Sequence, residues 1–315
     1  MTNEHKTIAI AALLSSGLFL LVFGLQLGFI FMFLPTLPLF SAGLSKHPRA
    51  ALAAGALAAL PIAGLADSGA GAFFLLIFAL PSWYLCHMAL KSRVLQLSDK
   101  PGMQLRVWFP VGVVIIHLAV YACALLALAT AFYATQDTNL PQLISRDIAQ
   151  ELTRLEKIYD VPLHIAAPQI AFMLCALMAW IWGATLWLHG WLADHALAKR
   201  RLALRPNLSI TPFPMPIWLL TLLGICALAA LIGGESMQFL GRACVIMLLL
   251  PYAFQGAAIM HFASLTWPNR RILLFFAYVG ITVFLWPALL LILVGLWHHL
   301  KTLNKQLQAG GTSSR

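Results

Sequence analysis

Charge is what this sequence lacks. Its 315 residues include only 20 Lys and Arg and 10 Asp and Glu, about 10% against the roughly 25% of a soluble domain. With 61% hydrophobic residues, the chain is neither a disordered segment nor an ordinary cytosolic enzyme. Cysteine is also scarce. Cys86, Cys123, Cys175, Cys226 and Cys244 are odd in number, lie in apolar tracts and form no C-x-x-C pair. They read as small apolar helix residues, with no disulfide framework and no metal site implied. Neither H-E-x-x-H nor G-x-x-x-x-G-K-[ST] occurs. Zinc hydrolysis and ATP hydrolysis by the chain itself are therefore not expected, and no cofactor is called for.

What is present is a series of long uncharged tracts. Residues 7–45, 50–66, 68–90, 107–136, 161–193, 206–234, 243–269 and 272–300 contain no Asp, Glu, Lys or Arg. A helix needs about 20 apolar residues to cross the hydrocarbon core, and backbone groups in lipid must be satisfied within the segment. The run Leu289–Val294 is continuously apolar, without the alternation of a barrel strand. The expected fold is thus all-α: a polytopic transmembrane helix bundle with eight or nine spans. The ninth arises if the first tract, broken by Pro35 and Pro38, crosses twice. That tract is too long for a signal-peptide core and is expected to stay attached. Residues 1–308 read as one integral membrane domain and 309–315 as a flexible tail.

The signs of the charges suggest an orientation. Lys46 and Arg49 share a loop, as do Lys91, Arg93, Lys100 and Arg106 with Asp99; Lys199, Arg200, Arg201 and Arg205 form a third cluster, and Arg270 and Arg271 a fourth. The loops between them carry Asp67, then five acids against three bases in 137–160, then Glu235 with Arg242. Lys and Arg are retained on the cytoplasmic side, so the basic loops should face the cytoplasm of a bacterial inner membrane. This pattern assigns the net charge of +10 to a lipid bilayer rather than to nucleic acid. If 272–300 crosses once, Lys301, Lys305 and Arg315 fall outside, against the rule. If Pro287 turns the tract back, they do not.

Within 139–160, Ile144, Ile148, Leu152, Leu155 and Tyr159 fall on one helical face, which predicts an amphipathic surface helix over about 141–159, lying on the membrane or lidding a cavity. In the second tract, Ala51, Gly55, Ala59 and Ala63 recur every four residues, as do Gly24 and Gly28 in the first. Such small-residue faces let helices approach closely in lipid, either inside the chain or against another subunit.

The polar residues in or beside apolar tracts are the candidate site. Arg242 borders its tract seven positions after Glu235 and would share a helix face with it. It would snorkel or meet an anionic ligand. Gln255 lies about midway along the next tract, where its amide must face protein or a cavity. Pro251 frees a carbonyl one turn earlier, as in the broken helices of transporters. His261 follows Gln255 by six, and His117 is a lone imidazole in its own tract. His189 and Asp194 form an H-x-x-x-x-D pattern similar to the catalytic pair of glycerolipid acyltransferases, but no other motif of those enzymes accompanies it. No catalytic residue is assigned.

Phe239-Leu240-Gly241-Arg242, Gln255-Gly256 with His261, Arg270-Arg271, and Trp286-Pro287 followed by Gly295 occur in that order. With Pro38, Leu39, Phe40 and Gly43 ahead of an Ala-rich helix, they resemble the YybS-like family of bacterial membrane proteins, which has no established activity. Members carry an acid shortly after the last helix glycine, where this chain has His298. The N-terminal half of that family looks like the substrate-binding subunits of energy-coupling-factor transporters. The resemblance implies a non-enzymatic, solute-binding transport subunit that works with other membrane subunits and a separate ATPase module. The alternative expectation is a membrane scaffold or assembly factor without a small ligand, docking through Ala51–Ala63.

Overall fold

A computed structural model describes residues 3–25, 33–96, 104–110, 112–136, 138–160, 166–206, 211–284 and 286–312. Gly28, Asp99, Lys100, Asp137 and Arg315 lie outside the described residues. Among the described residues the fold is all-α apart from one β-hairpin. In order the elements are α1 (Asn3–Gly24), α2 (Thr36–Ser45), α3 (Pro48–Leu65), α4 (Ser68–Phe74), a π-turn (Leu75–Ala79), α5 (Leu80–Ala89), β1 (Ser92–Gln96), β2 (Gln104–Trp108), α6 (Gly112–Ala134), α7 (Leu140–Tyr159), α8 (Ala167–Lys199), α9 (Ile217–Ile232), α10 (Glu235–Ala263), α11 (Arg270–Phe284) and α12 (Pro287–Thr312).

Among the described residues, six helical stretches are long and apolar enough to cross a membrane: α1, α3, the α4–α5 stretch, α6, α8 and α10 with its 3-10 extension. The remaining charge-free tracts are interrupted, and proline is the reason. Pro212, Pro214 and Pro216 delay α9 until Ile217, which leaves it 16 residues. Trp286 and Pro287 separate α11 from α12. In the first tract Pro35 caps α2, which is only 10 residues long.

The chain forms two compact units, with the divisions falling inside α6 and α8. One holds residues 1–114 and 182–209, the other 115–181 and 210–315. In the first unit the small-residue stripe of α3 is spent on internal packing. Ala51 stands against Gly43 of α2, where an added Cβ would lie 2.9 Å from it. A Cβ on Gly55 would come within 2.5 Å of Ala79, and one on Gly71 of α4 within 2.8 Å of Ala63. Ala51 and Ala59 are buried, Ala63 half-buried. The face suggested for a second subunit is therefore occupied by the chain's own helices, because only bare backbone admits three neighbours so closely. Caps set the helix starts: His47 Nδ1 accepts from Ala50 N at 3.2 Å and Asp67 Oδ1 from Ala70 N at 2.9 Å, each satisfying an orphan donor.

Pro81 shapes the next segment. It has no N–H to offer the carbonyl of Ile77 four residues back, and the helix widens into the π-turn there. The freed Ile77 oxygen accepts instead from the indole Nε1 of Trp182 at 2.9 Å. The hairpin β1–β2, not foreseen from composition, pairs Ser92 with Trp108 and Gln96 with Gln104. It extends α5 through the Phe109 N to Lys91 O bond of 2.9 Å.

In the second unit α10 is the central element, packed on both α9 and α12. Gly241 lets α9 approach until an added Cβ would lie 2.5 Å from Ala230 N. Added Cβ atoms on Gly256 and Gly295 would collide with the backbones of Leu291 and Tyr252 respectively. The order of these contacts, 252 with 295 and 256 with 291, makes α10 and α12 antiparallel. Trp180 of α8 donates its indole N–H to Ile246 O at 2.8 Å, one residue before the carbonyl that Pro251 leaves without a helical donor. Along the amphipathic helix α7 only part of the expected face is covered: Ile144, Ile148 and Leu152 are half-buried, whereas Leu155 and Tyr159 are exposed. Its start is tied to α10, with Gln142 Nε2 donating to Glu235 Oε2 at 3.1 Å and Ser236 Oγ donating to Asn139 Oδ1 at 3.4 Å.

Candidate functional site

The most developed polar site lies in the second unit, where α10, α12 and the segment before α9 converge. Residues 212–216 read Pro-Phe-Pro-Met-Pro. Each proline removes a donor and disfavours helix at the residue before it, so Phe213 has no helical acceptor for its N–H. It donates to Gln255 Oε1 at 3.1 Å. Gln255 is fully buried, and this bond fixes its orientation, because a backbone N–H can only donate. The amide nitrogen is then turned to His298 Nδ1 at 3.1 Å. That ring nitrogen must supply a lone pair, so neutral His298 carries its proton on Nε2.

A second imidazole stands beside the first. Tyr252 OH meets His299 Nδ1 at 3.3 Å. Tyr252 is fully buried and His299 is 2% exposed. The phenol can donate or accept there, so this bond leaves the His299 tautomer open. Nε2 of His299 is buried without a well-formed hydrogen bond, and the main chain of Met215 lies against the ring. The close Gly256–Leu291 and Gly295–Tyr252 contacts are what bring both histidines against Gln255 and Tyr252.

These groups border a cavity of about 200 Å³ lined by Pro212, Phe213, Pro214, Met215, His298, His299 and Thr302. Thr302 Oγ1 donates to His298 O at 2.8 Å, which leaves its lone pairs to accept. None of the lining residues is acidic, and none is Lys or Arg. The wall is apolar apart from two imidazoles and one hydroxyl.

Of the residues singled out from the sequence, only Gln255 belongs to this site, one layer behind the wall. His261 Nδ1 pairs with Tyr278 OH at 2.9 Å, and its carbonyl accepts from Ser264 Oγ at 2.8 Å. Arg242 is exposed, bonded through Nη2 to Gln238 Oε1 at 3.0 Å and 5.8 Å from the Phe172 ring. Glu235 is bonded to Gln142 instead, so the face shared by Glu235 and Arg242 carries no ion pair: each finds a nearer amide. His117 is half-buried on α6 and takes no part in the cavity wall. His298, noted only as standing where the resembled family carries an acid, was not read as a site residue, and neither were His299 and Thr302, because they sit at the edge of a tract, where polar residues look like a membrane boundary. The adjacent pair of histidines was the available signal.

The H-x-x-x-x-D pair of the first unit is buried. His189 Nδ1 lies 2.7 Å from Thr36 Oγ1, and Asp194 is 3% exposed. The charge of Asp194 acts on Arg205, whose Nη1 donates to Ala89 O at 2.7 Å and whose guanidinium stacks 5.5 Å from the Trp108 ring. Burial lowers the Arg205 pKa and Asp194 opposes that shift. Arg205 thereby caps the carbonyl end of α5. Cys123, Cys226 and Cys244 converge in the second unit, with Cys123 Sγ 3.9 Å from Met247 Sδ. Even so, no group of three or more His, Cys, Asp and Glu suited to a metal ion occurs among the described residues.

Comparison with protein-family models, with curated proteins and with solved structures gives no match.

Proposed function

We propose that this chain is a multi-pass protein of the bacterial inner membrane that binds a small solute, as a permease or as the solute-binding subunit of a transporter. The observation that carries the reading is the cavity beside α12. It is bounded by His298, whose ring is held by Gln255, an amide fully buried within a charge-free tract. Preformed, mostly apolar cavities with a few convergent polar groups are the usual form of a solute site. The resemblance to the YybS-like family, and through it to substrate-binding subunits driven by a separate ATPase module, belongs to the same proposal.

Eight spans follow if α9 and the α11–α12 tract each count as one crossing beside the six long helices. The basic loops then face the cytoplasm. The antiparallel packing of α12 on α10 supports a single crossing for 272–300. The scaffold reading loses its candidate surface, since the Ala51–Ala63 stripe is filled from within.

The test is to purify the full chain in mild detergent and identify, by mass spectrometry, small molecules released on denaturation. Wild type should release a solute that a Thr302→Trp variant, its cavity filled, does not. Recovery of an ATPase pair with both proteins would support the transporter arrangement. Identical release from the two proteins removes the cavity from consideration.

A further inference from the structure

The hydrogen-bond network around the cavity restricts the chemistry of what can occupy it. This inference rests on the solute-binding reading and refines it. The chain of constraint begins at Phe213. Its N–H commits the Gln255 oxygen, which commits the Gln255 amide hydrogens to His298 Nδ1, which leaves the His298 proton on Nε2. Tyr252 OH lies 3.3 Å from His299 Nδ1, where a phenol can either donate or accept. His298 therefore presents its N–H to the cavity that it lines half-buried, while His299, in the same wall, keeps Nε2 buried beside the main chain of Met215.

Opposite demands are missing from the lining. It holds no Asp or Glu, and its other side chains are Pro212, Phe213, Pro214, Met215 and Thr302. A cation would meet the positive N–H edge of His298 and no counter-charge, an unfavourable arrangement in a low-dielectric site. An acceptor oxygen satisfies His298, and a charged acceptor makes the stronger bond. The Thr302 hydroxyl, already donating to His298 O, can only accept. The room is small: about 200 Å³ corresponds to roughly six or seven water volumes at about 30 Å³ each.

We propose that the cavity binds a small monocarboxylate, one oxygen taken by the Nε2–H of His298 and its short apolar body packed on Phe213 and Met215. The proline frame matters to this selectivity. It prevents Phe213 from joining α9, and so keeps its N–H available to set the tautomer two residues away in the network.

The probes are butyrate, butylamine and butyramide, titrated by calorimetry into the full chain in detergent. Butyrate should bind at least about tenfold more tightly than butylamine, the ratio expected from one charge-assisted hydrogen bond. His298→Leu should lose that preference, whereas His298→Gln, which restores a donor, should keep most of it. Retained thermal unfolding of each variant separates loss of the site from loss of the fold. Equal or stronger binding of butylamine overturns the carboxylate assignment, as does butyrate binding unchanged by His298→Leu. If the carboxylate preference is absent while Thr302→Trp still abolishes release of a co-purified solute, the class is wrong and the solute site stands. If Thr302→Trp has no effect either, both fall.

Discussion

Thr36 Oγ1 and His189 Nδ1, 153 residues apart in sequence, lie 2.7 Å from each other in the buried interior of the first unit. Thr36 Oγ1 also lies 2.8 Å from Phe33 O, and the His189 ring meets the main chain of Phe33 as well. Thr36→Val should lower stability by about 1–2 kcal/mol, the cost of a lost buried hydrogen bond moderated by the small net value of interhelical bonds in lipid. Thr36→Ser should restore most of it. Thermal unfolding in detergent measures both, and a neutral Thr36→Val would show that the pair contributes nothing.

Trp182 and Pro81 should be energetically coupled. Trp182→Phe removes the donor that Ile77 O receives in place of the missing proline N–H, at about 1–3 kcal/mol. In a Pro81→Ala background the helix regains its own N–H for that carbonyl. The same Trp182→Phe change should then cost less by about 1 kcal/mol. Additive effects in the double-mutant cycle would disprove the link.

Glycines should separate cleanly by their surroundings. Gly256→Ala and Gly295→Ala place a methyl against backbone that has no side chain to swing aside, and each should destabilise by about 1–3 kcal/mol or more. Gly224→Ala and Gly280→Ala meet nothing within 4 Å and should be neutral or slightly stabilising, since Ala is the better helix former. Because Gly256 and Gly295 also set the position of His298 and His299, their alanine variants should weaken solute binding as well.

The C-terminal end should report on the topology. With α12 antiparallel to α10, a reporter fused after residue 312 should fall on the same side as Glu235, and opposite to one inserted in the basic loop at 200–205. A fusion after 312 that reads as cytoplasmic would mean that 272–300 does not cross once.

The sequence made the long helices legible because charge is the one thing a lipid-facing stretch excludes, and the gaps between charges fall close to their ends. Gln255 was legible for the same reason: an amide in such a gap has no water to turn to. The remaining site was not. His298 and Thr302 lie at a gap's edge, and Phe213 contributes through a main-chain N–H that every residue but proline carries. Arg242 and Glu235 matched in spacing, but spacing does not say that a glutamine four residues away, or one on α7, binds first. The hairpin was hidden because its strands, Ser-Arg-Val-Leu-Gln and Gln-Leu-Arg-Val-Trp, are only five residues each and show no sustained alternation.

The π-turn at Leu75–Ala79 has one more consequence. An extra residue in a helix turns everything beyond it by about 100°. Before the turn, this segment presents Gly71 to Ala63 of α3; after it, Cys86 comes against Gly43 of α2. The two contacts are held in phase by that one residue. Deleting a single position between 75 and 79 would leave the hydropathy of the tract almost untouched and its length sufficient to span, yet it would rotate one contact set away from its neighbour. Azimuth, which no count of apolar residues records, is what this part of the chain cannot vary.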